Sequence, residues 1–199
     1  LEEASEIISE AKKFIPKYCR IMRIQRDIPT KVTAAGVNKT NLRQYVDNLI
    51  KKKGIKCNCI RCREPRGRNI DFDKVKILKY EYQASNGTEL FISAEDIKND
   101  ILLGFVRLRI PFKPFRPEIT SNSAGIRELH VYGSATALNK KGEVQHHGLG
   151  KRLMQEAEDT AKEKYNVKKL LVISGIGVKE YYRNLGYKND GVYVSKLLS

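Results

Sequence analysis

The sequence lacks long apolar runs, and none approaches the roughly 18–20 residues that a helix needs to cross a bilayer. We expect no signal peptide, because the first residues of the sequence, LEEASEIISEAKKF, are acidic and amphipathic. It has no initiator Met, so we expect a fragment of a longer protein. Its 41% hydrophobic and 31% charged residues are typical of a globular chain. We therefore expect a cytoplasmic protein with no membrane partner.

Acidic residues are few compared with basic ones: 23 Asp and Glu stand against 38 Lys and Arg, which gives a net charge of +15. Residues 1–70 hold 17 of the basic residues and only 7 of the acidic ones. This excess predicts a polyanionic partner, nucleic acid before membrane. The alternative is a solvated, lysine-rich surface. The residues expected in an RNA-binding face include Arg20, Arg23, Arg26, Lys51, Lys52, Lys53, Arg61, Arg63 and Arg66.

Cysteine is also scarce, with four residues, and Cys57, Cys59 and Cys62 lie within six positions of the chain. Without a secretory signal, metal binding is favoured over disulfides. Three thiolates at this spacing suit Zn²⁺, which prefers four tetrahedral ligands. We expect a structural zinc ion, with Cys19, a His, a carboxylate or water as the fourth ligand. The alternative is a buried turn with three reduced cysteines.

Helical periodicity appears twice near the start of the chain. It predicts a first helix over residues 3–15, ended by Pro16, whose apolar face is formed by Ile7, Ile8, Ala11 and Ile15. It predicts a second helix in TNLRQYVDNLIKKKG, which Gly54 ends.

Alternating apolar and polar residues predict strands elsewhere. Residues 20–32, RIMRIQRDIPTKV, are interpreted as a strand or extended segment with a break at Pro29. Asn86–Gly87 is typical of a hairpin turn. Further strands are predicted over 74–83, 88–96, 101–111, 126–138, 168–174 and 191–198, with helices beginning near 149 and over 178–186. This order predicts a mixed α/β (α+β) sheet.

The helix near residue 149 begins in an unusual way, with QHHGLGKR. Free N–H groups and the dipole at a helix N-terminus bind phosphate. Gly148 and Gly150 would let a pyrophosphate approach the backbone, and Lys151 and Arg152 add positive charge. Neither the three-glycine dinucleotide fingerprint nor the Walker motif fits. The pattern resembles GCN5-related N-acetyltransferases, in which these amides hold the pyrophosphate of acetyl-coenzyme A. The alternative is that the glycines serve tight packing.

The segment LLVISGIGVKEYYRNLGY resembles the last motif of the same fold. In that motif the second aromatic residue lies beside the cofactor sulfur, which implies this role for Tyr182. A phenol has a pKa near 10, so its hydroxyl could donate a proton to a departing thiolate. We expect Tyr181 to be a core residue.

Five stretches together resemble the catalytic-subunit family of Elongator over nearly the whole chain: RIQRDIP, CNCIRCRE, IRELHVYGS, QHHGLGKRLMQEAE and VISGIGVKEYYRNLGY. That family joins a radical-SAM domain to an acetyltransferase-like domain and makes a carboxymethyl group on the wobble uridine of tRNA. The Cys-x3-Cys-x2-Cys motif of the 4Fe–4S cluster is absent here, so this chain is not expected to bind the cluster or S-adenosylmethionine.

The resemblance also implies a division of the chain. Residues 1–56 would be the basic, largely helical tail of the radical-SAM domain, and residues 57–73 a zinc-binding linker. Residues 74–199 would be the acetyl-CoA-binding domain with the GCN5-related acetyltransferase fold.

The family's acetyl-CoA site can be assigned residue by residue. The implied cofactor-binding residues along the pantetheine arm are Glu128, Leu129, His130 and Val131. Those at the pyrophosphate are Gly148, Leu149, Gly150, Lys151 and Arg152. Tyr182 would bind at the sulfur and is also the implied catalytic residue. Structural roles are favoured over catalysis for His130, His146 and His147. Glu128 is a lesser candidate to polarise the water that hydrolyses the thioester.

Three functions follow from these interpretations. The first is an acyltransferase-type, tRNA-modifying enzyme that hydrolyses acetyl-CoA when tRNA is bound. The second is a protein lysine N-acetyltransferase, which the basic charge disfavours because a cationic substrate needs an acidic channel. The third is an RNA-binding module with a vestigial cofactor site. The expected partners are tRNA and acetyl-CoA, while a homodimer or accessory subunits remain open.

Overall fold

The structure is a computed structural model that describes residues 1–25, 29–133 and 148–198. It divides into two compact units, Leu1–Glu64 and Pro65–Ser199. Among the helices of these described segments, none combines the length and apolar character required to cross a membrane.

The first unit is built on two helices that pack against each other, α1 (Glu2–Ala11) and α2 (Leu42–Lys53). A 3₁₀ turn, Lys12–Phe14, extends α1, and a short helix α3 (Ile60–Arg63) follows α2. Gly54 ends α2 as predicted: it adopts the left-handed conformation with φ of 65°. The N–H of Ile55 then bonds to the Ile50 carbonyl at 3.0 Å, which satisfies the helix end.

The predicted apolar face of α1 is wrong. Its buried side chains are Ser5 and Ser9, followed by Lys12 in the 3₁₀ turn, whereas Ile7 is exposed. The serine hydroxyls bond to carbonyls of their own helix, at 2.9 Å for Ser5 and 2.8 Å for Ser9. Lys12 donates to Asp47 of α2 at 3.1 Å. Satisfied polar groups can be buried, so hydrophobicity alone did not identify this face.

The strand or extended segment predicted over residues 20–32 contains no strand in its described part. Residues 20–25 are irregular, and Thr30–Val32 form a 3₁₀ turn. The Arg43 guanidinium donates to the carbonyls of Ile21 and Met22, at 3.2 and 3.3 Å. These carbonyls therefore have a side-chain partner in place of a neighbouring strand.

Among its described residues, the second unit contains a seven-stranded sheet and two helices. Its strands are β1 (Val75–Ala84), β2 (Gly87–Asp96), β3 (Ile101–Ile110), β4 (Ser123–Val131), β5 (Lys169–Val172), β6 (Lys188–Asp190) and β7 (Tyr193–Leu197). The order is β1-β2-β3-β4-β5-β7-β6. Of these described strands, β4 and β5 pair in parallel and the other neighbours pair antiparallel. Helix α4 (Leu149–Tyr165) connects β4 to β5, and α5 (Lys179–Arg183) follows β5.

The hairpin between β1 and β2 turns one residue earlier than Asn86–Gly87. Ala84 pairs with Gly87, so Ser85 and Asn86 form the two-residue turn, with φ of 44° and 58°. Positive φ at both positions defines a type I′ turn. Gly87 serves close packing, since a Cβ there would lie 2.6 Å from the Ile110 carbonyl oxygen.

Two strand predictions differ from the structure. Strand β4 begins at Ser123, three residues before the predicted start, and its predicted end lies in residues 134–147, outside the described residues. Strand β6 was not predicted, because Lys188–Asp190 is short and polar and is defined only by its pairing with β7.

The core lies between one face of the sheet and α4. Leu90, Val106 and Ile126 point to this face, where Leu153 and Ala157 of α4 pack against them. Because side chains alternate along a strand, Glu89, Arg109 and Arg127 point to the opposite face.

Candidate functional site

A cleft begins where β4 and β5 separate. The two strands pair over Ser123–Ile126 and Lys169–Val172, and the Ile173 N–H still bonds to the Ile126 carbonyl at 3.3 Å. Beyond Ile126, strand β4 continues to Val131 paired with β3. In the described part of the chain, no strand pairs with the other edge of this segment. Its backbone groups can therefore receive an extended ligand, as a strand edge does.

The N-terminus of α4 lies at the end of this cleft. Gly148 has φ of 64° and precedes the first helical residue, Leu149. A side chain at Gly148 would be strained by this conformation, although the space around it is open. The first turn of α4 contains no acidic residue, and Lys151 and Arg152 are exposed there. The free amides and the two cations together form a site suited to phosphate.

Gly150 is surrounded more closely than Gly148. A Cβ at this position would lie 2.8 Å from the Tyr181 hydroxyl oxygen and 3.7 Å from Cγ2 of Val131. The structure therefore brings together the end of β4, the start of α4 and the tyrosine pair of α5. These three segments are the ones predicted to share one site, although they are far apart in the chain.

The two tyrosines differ in burial. Tyr182 is 7% exposed and belongs to the core, with its ring centroid 6.0 Å from that of Tyr187. Tyr181 is 38% exposed, so the expectation that Tyr181 is the core residue is wrong. Consecutive residues of a helix point about 100° apart, because a turn has 3.6 residues. Only one of the two tyrosines can therefore face the core. The rotation of α5 about its axis decides which one does.

Burial raises the pKa of both phenols. The pKa of Tyr181 rises to about 12, because burial and then the charge of Tyr182 disfavour its anion. Burial alone raises the pKa of Tyr182. Both hydroxyls are therefore protonated near neutral pH and can donate hydrogen bonds.

Glu128 and His130 already have partners on the sheet face opposite α4. Glu128 accepts a hydrogen bond from Arg107 at 2.9 Å, which ties up its carboxylate. The His130 ring lies 5.9 Å from Phe105 and 4.4 Å from Tyr132, between centroids. This packing agrees with the structural role expected for His130. His146 and His147 lie outside the described residues.

The three clustered cysteines converge in the first unit. The sulfur atoms of Cys57, Cys59 and Cys62 lie within 4.8 Å of one another. Hydrogen bonds from the Cys57 and Cys62 thiols lower the pKa of Cys59, which favours a thiolate. Three sulfur donors at one point fit the ligands that Zn²⁺ prefers. Among the described residues, Cys19 does not join this group through its sulfur, although its carbonyl accepts the Ile60 N–H at 2.9 Å.

Lys12 lies beside the cysteine cluster. Burial alone would lower its pKa, but Asp47 and the nearby Cys62 and Cys57 thiols outweigh burial and raise the pKa of Lys12. Its ammonium therefore remains charged and stabilises negative charge on the sulfur atoms.

The basic residues of the predicted RNA-binding face are not equally available. Arg63 is 1% exposed, so its assignment to a binding face is wrong: the short helix α3 turns it inward. Arg20 pairs with Glu64 at 2.5 Å. Lys53 pairs with Glu6 and Glu10 of α1. Lys51 and Lys52 are exposed, and Arg26 lies outside the described residues.

One cluster of charged residues was not predicted from the sequence. Glu89 is buried and accepts a hydrogen bond from Arg127 at 2.6 Å, with Arg109 at 3.7 Å. Each residue lies in a different strand, so only the register of β2, β3 and β4 brings them together. The alternation of apolar and polar residues could have placed each of the three side chains on the polar face of its own strand. It could not have shown that the three lie beside one another.

Comparison with known proteins gives a consistent result. Residues 123–196 match the acetyltransferase (GNAT) domain model. The tRNA uridine(34) acetyltransferase of Methanocaldococcus jannaschii is 52% identical over 99% of this chain and 38% of its own length. Elongator complex protein 3 of Saccharomyces cerevisiae is 41% identical over 96% of this chain and 36% of its own. The structure of Methanocaldococcus infernus Elp3 with an N-terminal deletion matches with a TM-score of 0.91 and 51% identity, over 99% of this chain and 48% of that one.

Over nearly its whole length the chain is therefore similar to Elongator complex protein 3 and to tRNA uridine(34) acetyltransferase.

The predicted fold is thereby confirmed: an α/β acetyltransferase (GNAT) fold preceded by a small helical segment that contains a cysteine cluster. The expectation of an acyltransferase-type domain is confirmed as well. The chain spans less than two fifths of the length of these curated relatives.

Proposed function

We propose that this chain is the part of a tRNA-modifying enzyme of the Elongator protein 3 family that binds acetyl-CoA and cleaves its thioester. The modification proposed for the whole enzyme is C5 carboxymethylation of the wobble uridine. The observation that carries this proposal is the meeting of three features: the unpaired edge of β4, the glycine-rich start of α4 and the tyrosines of α5.

The residues that would hold acetyl-CoA follow from this geometry. N–H groups of Leu149, Gly150 and Lys151 would donate to the pyrophosphate. The Arg152 N–H bonds to the Gly148 carbonyl at 3.0 Å, so Arg152 would contribute its side-chain charge. The backbone of residues 128–131 would bond to the amides of the pantetheine arm, as one strand edge bonds to another. Acetyl-CoA supplies the reactive thioester, and the chain's own groups orient it.

Tyr182 is the proposed donor at the sulfur. Its ring is held in the core by Tyr187, and among the described residues its hydroxyl has no hydrogen-bond partner. Because burial raises its pKa, the phenol is a weak acid. It would stabilise the thiolate mainly by a hydrogen bond that strengthens as charge develops on the sulfur. Tyr181 would position the start of α4 through its contact with Gly150.

The test is CoA release by the wild type, Tyr182→Phe and Tyr181→Phe, each with and without tRNA. Loss of one such donor typically costs about 10²–10³ in rate, so Tyr182→Phe should lower turnover by this order. Tyr181→Phe should have a smaller effect. We expect turnover to rise with tRNA, because hydrolysis without the acceptor would waste acetyl-CoA. Wild-type turnover in Tyr182→Phe would reject the catalytic role of this hydroxyl.

We also propose a zinc ion held by Cys57, Cys59 and Cys62, with the fourth ligand open. Its role would be structural, and Lys12 would offset part of the thiolate charge. The exposed lysines of α2, Lys51 and Lys52, are proposed to contact tRNA phosphates.

A further inference from the structure

A cavity of about 510 Å³ lies on the sheet face opposite α4. Its walls include Phe112, Phe115, Ile173 and Tyr193, and the first three of these side chains are exposed. Glu89, Arg109 and Arg127 also line it. The cavity therefore combines an aromatic, apolar wall with one carboxylate, two guanidinium groups and the ammonium of Lys113.

The carboxylate of Glu89 is only half satisfied. Both arginines approach the same oxygen, Oε1: Arg127 at 2.6 Å and Arg109 at 3.7 Å. In the described part of the chain, Oε2 is buried and has no hydrogen-bond partner. An ionised oxygen without a partner is unfavourable in a buried position. A ligand that supplies an N–H group would satisfy it.

The two arginines are not equivalent. Arg109 donates to the carbonyls of Ala84 at 2.5 Å and Ser85 at 3.1 Å, so the β1–β2 turn fixes its guanidinium. The Arg127 side chain is 56% exposed and donates to Glu89. Rotation of Arg127 would open Glu89 to a ligand and leave N–H groups free to bond to it.

The cavity adjoins the proposed acetyl-CoA cleft. Arg127 and Ile173 directly follow Ile126 and Val172, the last paired residues of β4 and β5. Both line the cavity. A ligand in the cavity would therefore lie beside the point where the strands separate, on the face away from α4.

We propose that this cavity binds the uracil base of an unpaired uridine in RNA. This inference rests on the proposed function, because the uracil would be the base that the enzyme modifies. The N3–H of uracil would donate to Glu89 Oε2, and a neighbouring carbonyl oxygen would accept from Arg127. The ring would lie against the aromatic wall, as bases taken out of a stack do. Cytosine and adenine present a lone pair at the corresponding ring nitrogen, which would face the carboxylate and be repelled.

The test uses five-nucleotide single-stranded RNAs with uridine, 3-methyluridine, cytidine or guanosine at the centre and cytidine at the flanking positions. 3-Methyluridine keeps the ring and both carbonyl oxygens but has no N3–H. Binding to the full chain is measured by fluorescence anisotropy at low salt. We expect the uridine oligomer to bind about tenfold more tightly than each of the others, the range for a paired base contact.

Substitutions in the cavity test whether Glu89 and Arg127 cause the preference for uridine. Arg127→Gln should bring the affinities for the uridine and cytidine oligomers close together. Glu89→Gln should do the same, provided that circular dichroism shows this variant to be folded. Lys76→Gln removes one charge from the exposed side of β1 and should lower all four affinities equally or not at all. Equal affinity of the wild type for uridine and 3-methyluridine would overturn the proposal, as would a preference for guanosine.

A separate measurement distinguishes this proposal from the proposed function. Acetyl-CoA binding is measured by calorimetry without RNA. If acetyl-CoA binds but the RNAs are not discriminated, the uracil site is wrong and the cofactor proposal remains. If the RNAs are discriminated but acetyl-CoA does not bind, the proposed function is wrong and the cavity remains a base site.

Discussion

Gly150→Ala tests the proposed phosphate site at the start of α4. The added Cβ would lie 2.8 Å from the Tyr181 hydroxyl oxygen, closer than real Cβ contacts, so the tyrosine must move. Alanine is favoured over glycine in a helix by about 0.8–1 kcal/mol. Displacing the end of a partly exposed tyrosine costs about 0.5–1.5 kcal/mol, as for an off-rotamer side chain. The two effects nearly cancel, so the free energy of unfolding should change by less than about 1 kcal/mol.

Acetyl-CoA affinity should respond more strongly than stability. The new methyl group and the displaced Tyr181 would occupy the space in front of the first α4 amides. Loss of one hydrogen bond to a charged group costs about 1.5–3 kcal/mol, which corresponds to roughly a 10–150-fold weaker Kd. Urea unfolding measures the first quantity, and calorimetry with acetyl-CoA measures the second. Wild-type affinity in Gly150→Ala would refute the assignment of the pyrophosphate to this helix start.

The Tyr181→Phe background provides the matched control. Without the hydroxyl, the nearest Tyr181 ring carbon, Cζ, lies 3.7 Å from the added Cβ, an ordinary contact. In this background Gly150→Ala should raise stability by most of the helix-propensity gain, about 0.8 kcal/mol. An identical stability change in the two backgrounds would show that the hydroxyl contact is not the source of the strain, by the logic of a double-mutant cycle.

Three further predictions concern metal, acid and salt. Zinc should co-purify with the wild type at about one ion per chain. The Cys59→Ser variant should lose the zinc and have a lower thermal stability than the wild type. Elemental analysis that finds no metal in wild-type protein purified without chelator would contradict this. Burial of Asp96 would raise its pKa, but N–H groups of Asp71, Asn99 and Lys98 outweigh burial and lower the pKa. The ionised carboxylate therefore stabilises the folded state above the unfolded pKa of about 3.9. This stabilisation is lost as pH falls through the lower pKa of the folded state. Asp96→Ala should therefore cost about 1–3 kcal/mol at pH 6 and less at pH 3, by urea unfolding; an equal cost at both pH values would contradict this. Affinity for tRNA should fall steeply with salt, and Lys51→Gln/Lys52→Gln should reduce the slope of log K against log salt by about 2; an unchanged slope would exclude these lysines from phosphate contacts.

The sequence by itself determined the features that depend on local periodicity and backbone conformation. The alternating strands of the second unit and the apolar stripe of α4 followed from spacing alone, because each face must be buried. Gly54 ended α2 as expected, since glycine adopts the left-handed conformation at little cost. The glycines at the start of α4 predicted a phosphate-type site, because residues without side chains let a pyrophosphate approach the backbone. Each of these inferences needed only residues within a few positions of one another.

Only the tertiary structure decided which side chains are buried and which meet. Ser5, Ser9 and Lys12 are buried while Ile7 is exposed, because the serine hydroxyls bond to carbonyls of their own helix and Lys12 bonds to Asp47 of α2. The rotation of α5 placed Tyr182 in the core and left Tyr181 against Gly150. Glu89 meets Arg127 through the pairing of three strands, and a shift of one residue would send these side chains to the other face. Such contacts depend on register and packing over long sequence separations, which no local pattern encodes.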